Sequence, residues 1–409
     1  MFAVASFLDA LPVGGAALTM TKGLGLLLAI SWVAALAMRP ETENDFLSDH
    51  PAFSYLLLLF LGWAAVSLLW AESPATGFDS VFRYGLNIVL FLIVYTAVRD
   101  RQAASWLVAA FLLGALVSAA YGIMAPTDGS SLYDVSRATG TIGDANELAA
   151  MLVAALVLAG AFAVGWREYP VVLVFALLVG VFCLAGIVLT FSRGGLVALA
   201  VALLTAVALG GRWRPAAALL LVAVVAFSAT YFVYVASPEE RTRVTTIEGG
   251  TGRSDIWAVG WRMFQSSPVS GVGVGNFPVS SIHFLLEPGA LRRDEFIVDE
   301  PKVAHNVYLE MVAELGLVGF LLFMTIIGFS LVSAIKAARA FLAKGDDRME
   351  LLARAVAVAI VALLAANFFV SDQFAKQLWL LLALGPALLR VAQGSEPIED
   401  DQPPIATYA

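Results

Sequence analysis

Apolar runs of 17 or more residues recur from one end of this 409-residue chain to the other, and that repetition constrains the fold more than any motif does. A helix rises about 1.5 Å per residue, so each run is long enough to cross a hydrocarbon layer of about 30 Å. The runs lie near residues 22–38, 53–70, 81–98, 104–124, 146–165, 171–190, 194–211, 215–236, 305–335, 351–370 and 374–392, eleven in all. Phe2–Leu11 is apolar too, ends at Pro12, and has no preceding Lys or Arg of the kind a signal peptide carries. It reads as a partial first span and brings the count to twelve. Backbone groups in lipid must pair within their own segment, and no run alternates apolar with polar residues, so these are helices and not barrel strands. The expected fold is all-α: a polytopic helical bundle of about 11–12 transmembrane helices.

Composition excludes several classes of function. Of the residues 60% are hydrophobic and 14% charged, against about 25% charged in soluble domains. The net charge of -8 and the lack of a basic tract leave nothing to neutralise a phosphate backbone, so no nucleic acid is expected as a partner. A single cysteine, Cys183, lies in an apolar run, which removes an internal disulfide, a cysteine-based zinc site and a CxxC motif. His50, His283 and His305 are too scattered in sequence to read as a metal cluster. Neither metal nor cofactor is expected.

Lys and Arg in short loops are kept on the cytoplasmic side. One alternate set of loops holds Arg39, Arg99, Arg101, Arg167, Arg212, Arg214, Lys336, Arg339, Lys344 and Arg348, with Arg390 just inside the last span. The opposite short loops hold only Arg137 and Arg193, with Lys22, Arg83 and Lys376 at span edges. The first set is therefore read as cytoplasmic. The chain divides into membrane helices over 1–236, a long external loop over 237–304, further membrane helices over 305–392, and an acidic, proline-containing tail over 393–409, expected to be disordered and cytoplasmic. The external loop carries seven basic and nine acidic residues. Within it, Arg253–Gln265 reads as a short amphipathic helix with Trp257, Trp261 and Phe264 on one face, the pattern of an aromatic helix at the membrane surface. The glycine-rich stretch that follows, from Ser267 to Pro278, does not join a strand to a helix, so neither a dinucleotide nor a P-loop reading holds.

The basic residues on the sparse external side carry the functional signal. Arg193 lies between two spans joined by almost no loop, followed by Gly194 and Gly195, which let a ligand or a neighbouring helix approach the backbone. A charged group at that depth is usually paired and functional, although a snorkelling arginine is the plain structural alternative. Arg137 alone says less. His305 is placed in the first turn of a long helix, where the positive helix end keeps an imidazole neutral and able to take a proton. Glu310 and Glu314 share a stripe of that helix, so neither is the natural partner of His305.

Several motifs occur in one order: Arg137-x-x-Gly through Asn146, Thr190-Phe-Ser-Arg193-Gly, Gly252-Arg253-x-x-x-x-Trp, Pro268-x-x-Gly-x-Gly-x-Gly, and His305-Asn-x-x-Leu-x-x-x-x-Glu314-x-Gly-x-x-Gly319. With a dozen spans and one late external loop, this set resembles the bacterial O-antigen ligase and O-antigen polymerase superfamily over roughly residues 20–390. The resemblance implies a GT-C-like membrane glycosyltransferase of the bacterial inner membrane, with 237–304 as a periplasmic loop. It implies a glycan donor on undecaprenyl diphosphate and a lipid A-core or glycan acceptor, among membrane lipids. On that basis Arg193 and Arg253 are expected to hold the diphosphate, with Arg137, Asn146 and Arg262 as further substrate-binding candidates, and His305 to act on the acceptor hydroxyl. The external loops contain no DxD-type acidic pair, so arginine takes the place of metal. The modest loop favours ligase over polymerase, and a protein-glycosylating relative would share the same donor chemistry. A transporter would place charges at midspan and repeat its halves; the sequence does neither.

Overall fold

The computed structural model describes residues 1–8, 20–38, 50–125, 137–238, 241, 253–285 and 303–394. Among them there are helices and no strand: α1 Phe2–Ala5, α2 Met20–Ala37, α3 Pro51–Val66, α4 Pro74–Ala97, α5 Arg101–Met124, α6 Ala145–Gly165, α7 Pro170–Leu189, α8 Arg193–Leu209, α9 Arg214–Thr230, α10 Arg253–Ser266, α11 Phe277–Leu285, α12 Val307–Ala343, α13 Asp347–Ala366 and α14 Lys376–Gly394. Local chemistry sets the starts. Proline stands in the first turn of α3, α4, α7 and α9, where its missing N–H is no loss. Asp100, Asp144, Ser192, Asn306 and Asp346 cap α5, α6, α8, α12 and α13 by accepting backbone N–H groups.

Among the described residues, eight helical segments are long and apolar enough to cross a membrane: α3 with its 3-10 extension, α4, α5, α6, α7, α9 with its flanking turns, α12 and α13. The chain is a polytopic helical membrane protein. The other three expected spans correspond to α2 and α8, which are apolar but shorter, and to α14, whose 19 residues include Lys376, Gln377 and Arg390. The expected partial span over Phe2–Leu11 is represented by the four-residue α1, and residues 9–19 lie outside the described set. The tail reading over 393–409 also falls outside it from residue 395 on.

Packing separates centre from rim. In α6 and α13, 78% of the apolar window is buried inside the protein, against 6% for the segment containing α9. The alanines of α6, including Ala149, Ala150, Ala154 and Ala155, are buried; small residues let helix backbones approach where lipid offers no hydrophobic drive. Arginines of the expected cytoplasmic set converge at one end of the bundle. Arg101 pairs with Asp346 at 2.8 Å, Arg348 with Glu168 at 3.0 Å, and Arg212 with Asp347 and the fully buried Glu350.

At the other end α12 is interrupted. Its 37 residues would reach about 55 Å unbroken, but Gly316 adopts φ 63 and ψ -169, a conformation nearly confined to glycine. Val307–Leu315 forms a separate outer segment, and the inward stretch continues to Ala343. The freed Leu315 carbonyl accepts the Trp63 indole N–H at 2.9 Å.

Candidate active site

The site lies at the end opposite the arginine–carboxylate pairs and is assembled from separate stretches of chain. The first is the corner between α7 and α8. Phe191 turns the chain with φ 47, and the Ser192 hydroxyl accepts the Gly195 N–H at 3.1 Å to start α8. Arg193, the first residue of that helix, is exposed. A cation there opposes the helix dipole, but guanidinium and free helix N–H groups together suit an anion.

Arg137 and Asn146 brace this corner. Arg137 Nε donates to the Thr190 carbonyl at 2.8 Å and its Nη2 to Asn146 Oδ1 at 3.2 Å, and Ser192 Oγ donates to the same Asn146 oxygen at 2.9 Å. Asp144 accepts the N–H groups of Asn146 and Glu147 at 2.7 and 2.9 Å.

Arg253 opens α10 and is half-buried. Burial pulls its pKa below the usual arginine value; the Asp144 carboxylate works against that shift and the Arg193 guanidinium adds to it. Arg193 and Asp144 are therefore close enough to Arg253 for their charges to act on it. Helix α10 buries Ile256, Val259 and Met263 against Phe277, Ala304 and Ala313. Trp257 donates to the Ala304 carbonyl at 3.0 Å and meets Phe368 edge-on at 5.8 Å, while Trp261 is 52% exposed. The aromatic stripe thus divides, with Trp257 turned into the protein. Arg262 belongs to the same helix. It lies nine residues beyond Arg253, about two and a half turns and on the opposite face, and donates to the Phe284 carbonyl at 3.3 Å.

His305 stands just outside α12, not in its first turn as expected. Asn306 is the cap, accepting Leu309 N–H at 3.0 Å, and His305 itself is half-buried with φ 48. The head of α12 is docked on the end of α13: Val307 N–H donates to the Asn367 carbonyl at 2.9 Å and the Tyr308 hydroxyl to the Leu364 carbonyl at 2.7 Å. Glu310 points to other partners. Its buried carboxylate accepts Gln373 Nε2 at 2.7 Å, the Ser371 hydroxyl, and the backbone N–H of Ala304 at 3.3 Å. It joins the residue before His305 to the corner between α13 and α14.

That corner adds residues that the sequence reading did not assign. Asp372 is half-buried; burial, and then the negative charges of Glu147 and Asp144, push its carboxyl well above the ordinary aspartate value, with Arg83 and Lys376 pulling the other way. Arg83, from the outer end of α4, also stacks over the Phe374 ring at 4.2 Å. These charges lie at the ends of three apolar runs, and that position is the one signal the sequence offered. Nearby, Glu72 takes His283 Nε2 at 2.8 Å and the Ser280 hydroxyl at 3.0 Å, tying α11 to the turn after α3; the bond from His283 lowers the pKa of Glu72.

The described stretches bring two arginines, each the first residue of its own helix, within electrostatic reach of each other beside Asp144, with a histidine just before the helix whose head docks on α13. Such a set can hold an anionic group and exchange a proton with a hydroxyl. Among the described residues, no three His, Cys, Asp or Glu side chains are grouped to hold a metal ion. No curated protein matches the chain. The O-antigen ligase family matches residues 178–324, a stretch that runs from within α7 into α12 and contains Arg193, Arg253, Arg262 and His305. Arg137 and Asn146 precede the match. Over those residues the chain is similar to the O-antigen ligase family, in line with the resemblance that the ordered motifs carry.

Proposed function

We propose that the protein is a metal-independent glycosyltransferase of the bacterial inner membrane that moves a glycan from undecaprenyl diphosphate to an acceptor hydroxyl on the periplasmic side, as an O-antigen ligase acting on lipid A-core. The observation that carries this reading is that Arg253, at the head of α10, lies within electrostatic reach of Arg193, at the head of α8, although the two are 60 positions apart in the chain. A diphosphate offers paired oxygens that two planar guanidinium groups bind bidentately in a partly dehydrated site.

The chemistry follows from that placement. The acceptor oxygen attacks the anomeric carbon, the bond from that carbon to the diphosphate oxygen breaks, and undecaprenyl diphosphate leaves with the electron pair. Arg193 and Arg253 stabilise the charge as it develops. His305 takes the proton of the acceptor hydroxyl. Arg137 and Asn146 keep Arg193 in place by bracing its corner.

The test is transfer in detergent by the purified protein, given lipid-linked glycan and lipid A-core. Ligated product, together with loss of lipid-linked glycan, supports the reading; lengthened lipid-linked chains without ligation would make the protein a polymerase; no consumption of donor would reject the transferase. Activity is expected to survive EDTA, and its loss on chelation with recovery in Mg²⁺ or Mn²⁺ would overturn the arginine-only account.

A further inference from the structure

The glycine-rich stretch runs between α10 and α11. It is stitched along the break in α12. Val272 N–H donates to the Ala313 carbonyl at 2.9 Å, Gly273 N–H to the Glu314 carbonyl at 2.8 Å, and Leu317 N–H back to the Pro268 carbonyl at 2.8 Å. The Glu314 side chain closes the joint. It is 2% exposed, and its two oxygens accept Gly275 N–H at 2.8 Å and Phe277 N–H at 2.9 Å. Glycine is required on both sides: a Cβ on Gly271 would stand 2.3 Å from the Glu314 backbone, and one on Gly316 would stand 2.2 Å from the Val269 carbonyl oxygen, with both residues at positive φ.

We propose that Glu314 is a positioning residue for the arginine–histidine site. Through Gly275 and Phe277 it fixes the start of α11 to the outer segment of α12. The stretch that α11 continues also carries α10, whose first residue is Arg253, and the outer segment of α12 begins two residues after His305. Arg253 and His305 are thereby registered on one carboxylate that touches neither. The inference rests on the donor-binding role proposed for Arg253. A neutral carboxamide could accept only one of the two N–H groups and would turn its own donor toward the other.

The test uses the full-length protein with Cys183→Ser and spin labels on Gln265→Cys in α10 and Val332→Cys in α12. With Glu314 intact, the distance distribution between the labels is expected to be narrow. Glu314→Gln should broaden it, weaken donor binding, and lower transfer about 10²-fold, the scale of a misplacement near 1 Å. Glu314→Asp keeps the charge but shortens the reach, so it should fall between the two; it carries the test if Glu314→Gln does not fold. Arg253→Lys should add little further loss of transfer in the Glu314→Gln background, whereas a role in stability alone gives independent, multiplicative losses. A narrow wild-type-like distribution with unchanged donor affinity in Glu314→Gln would overturn the proposal. If the wild type transfers no glycan, the proposed function fails by itself, and the label distances still decide whether Glu314 sets the joint.

Discussion

His305 has φ 48 one residue before the cap of α12, a conformation uncommon outside glycine and held here by the docked helix head that follows. Its expected role separates from that of the arginines by experiment. His305→Ala should lower transfer by about 10² to 10⁴ and leave donor binding near wild type. Arg193→Lys and Arg253→Lys keep charge but lose the planar fork, so both should transfer less and bind donor more weakly; near-wild-type transfer by both lysine variants would remove the arginines from the mechanism. Asp372 yields a pH prediction. Its folded pKa lies above the ordinary aspartate value of about 3.9, so the fold favours the neutral acid. The protein is then at no disadvantage below that value, and stability falls as pH rises toward the folded pKa. Asp372→Asn should melt with the wild type near pH 4 and above it at neutral pH. A melting difference that does not change with pH would show that the shift is absent.

Elements are positioned by their ends more than by their faces. Several membrane helices start on a proline and others are capped by Asp, Ser or Asn, and the corner at Phe191–Arg193 depends on one serine hydroxyl that both caps α8 and reaches Asn146. The joint at Gly271 and Gly316 tests the same idea in the loop. Alanine at either position must adopt a left-handed conformation that disfavours a side chain by roughly 1–2 kcal/mol, in addition to its clash with facing backbone. Gly271→Ala and Gly316→Ala should each lower the apparent melting temperature in detergent. Gly62→Ala, where a Cβ meets no atom within 4 Å, serves as the control and should melt with the wild type. If all three melt together, the joint contributes nothing to stability.

At the scale of the whole molecule, charge distinguishes the two ends. Arginines from several loops share carboxylates at one end, and the candidate site occupies the other. In cells with a permeabilised outer membrane, Gln265→Cys in a Cys183→Ser background should label with a membrane-impermeant thiol reagent. Arg339→Cys should label only after the inner membrane is lysed. The reverse pattern would overturn the orientation and with it the proposal that the site faces the periplasm.

The sequence by itself determined the all-helical membrane fold, because the length of an apolar run and the requirement that its backbone bonds close locally need no knowledge of neighbours. It also marked Arg193, Arg253 and His305, since charge is rare at the edges of such runs and so stands out. It left open the bonds by which Arg137, Asn146 and Arg262 reach Thr190, each other and Phe284. It also passed over Asp372, Glu147 and Arg83, and it left the glycine-rich stretch without a role. Those distinctions were decided by tertiary structure alone. Which charges meet, and which amides a buried carboxylate such as Glu314 accepts, depends on how helix ends far apart in the chain are brought together, and no periodicity within one segment encodes the position of another.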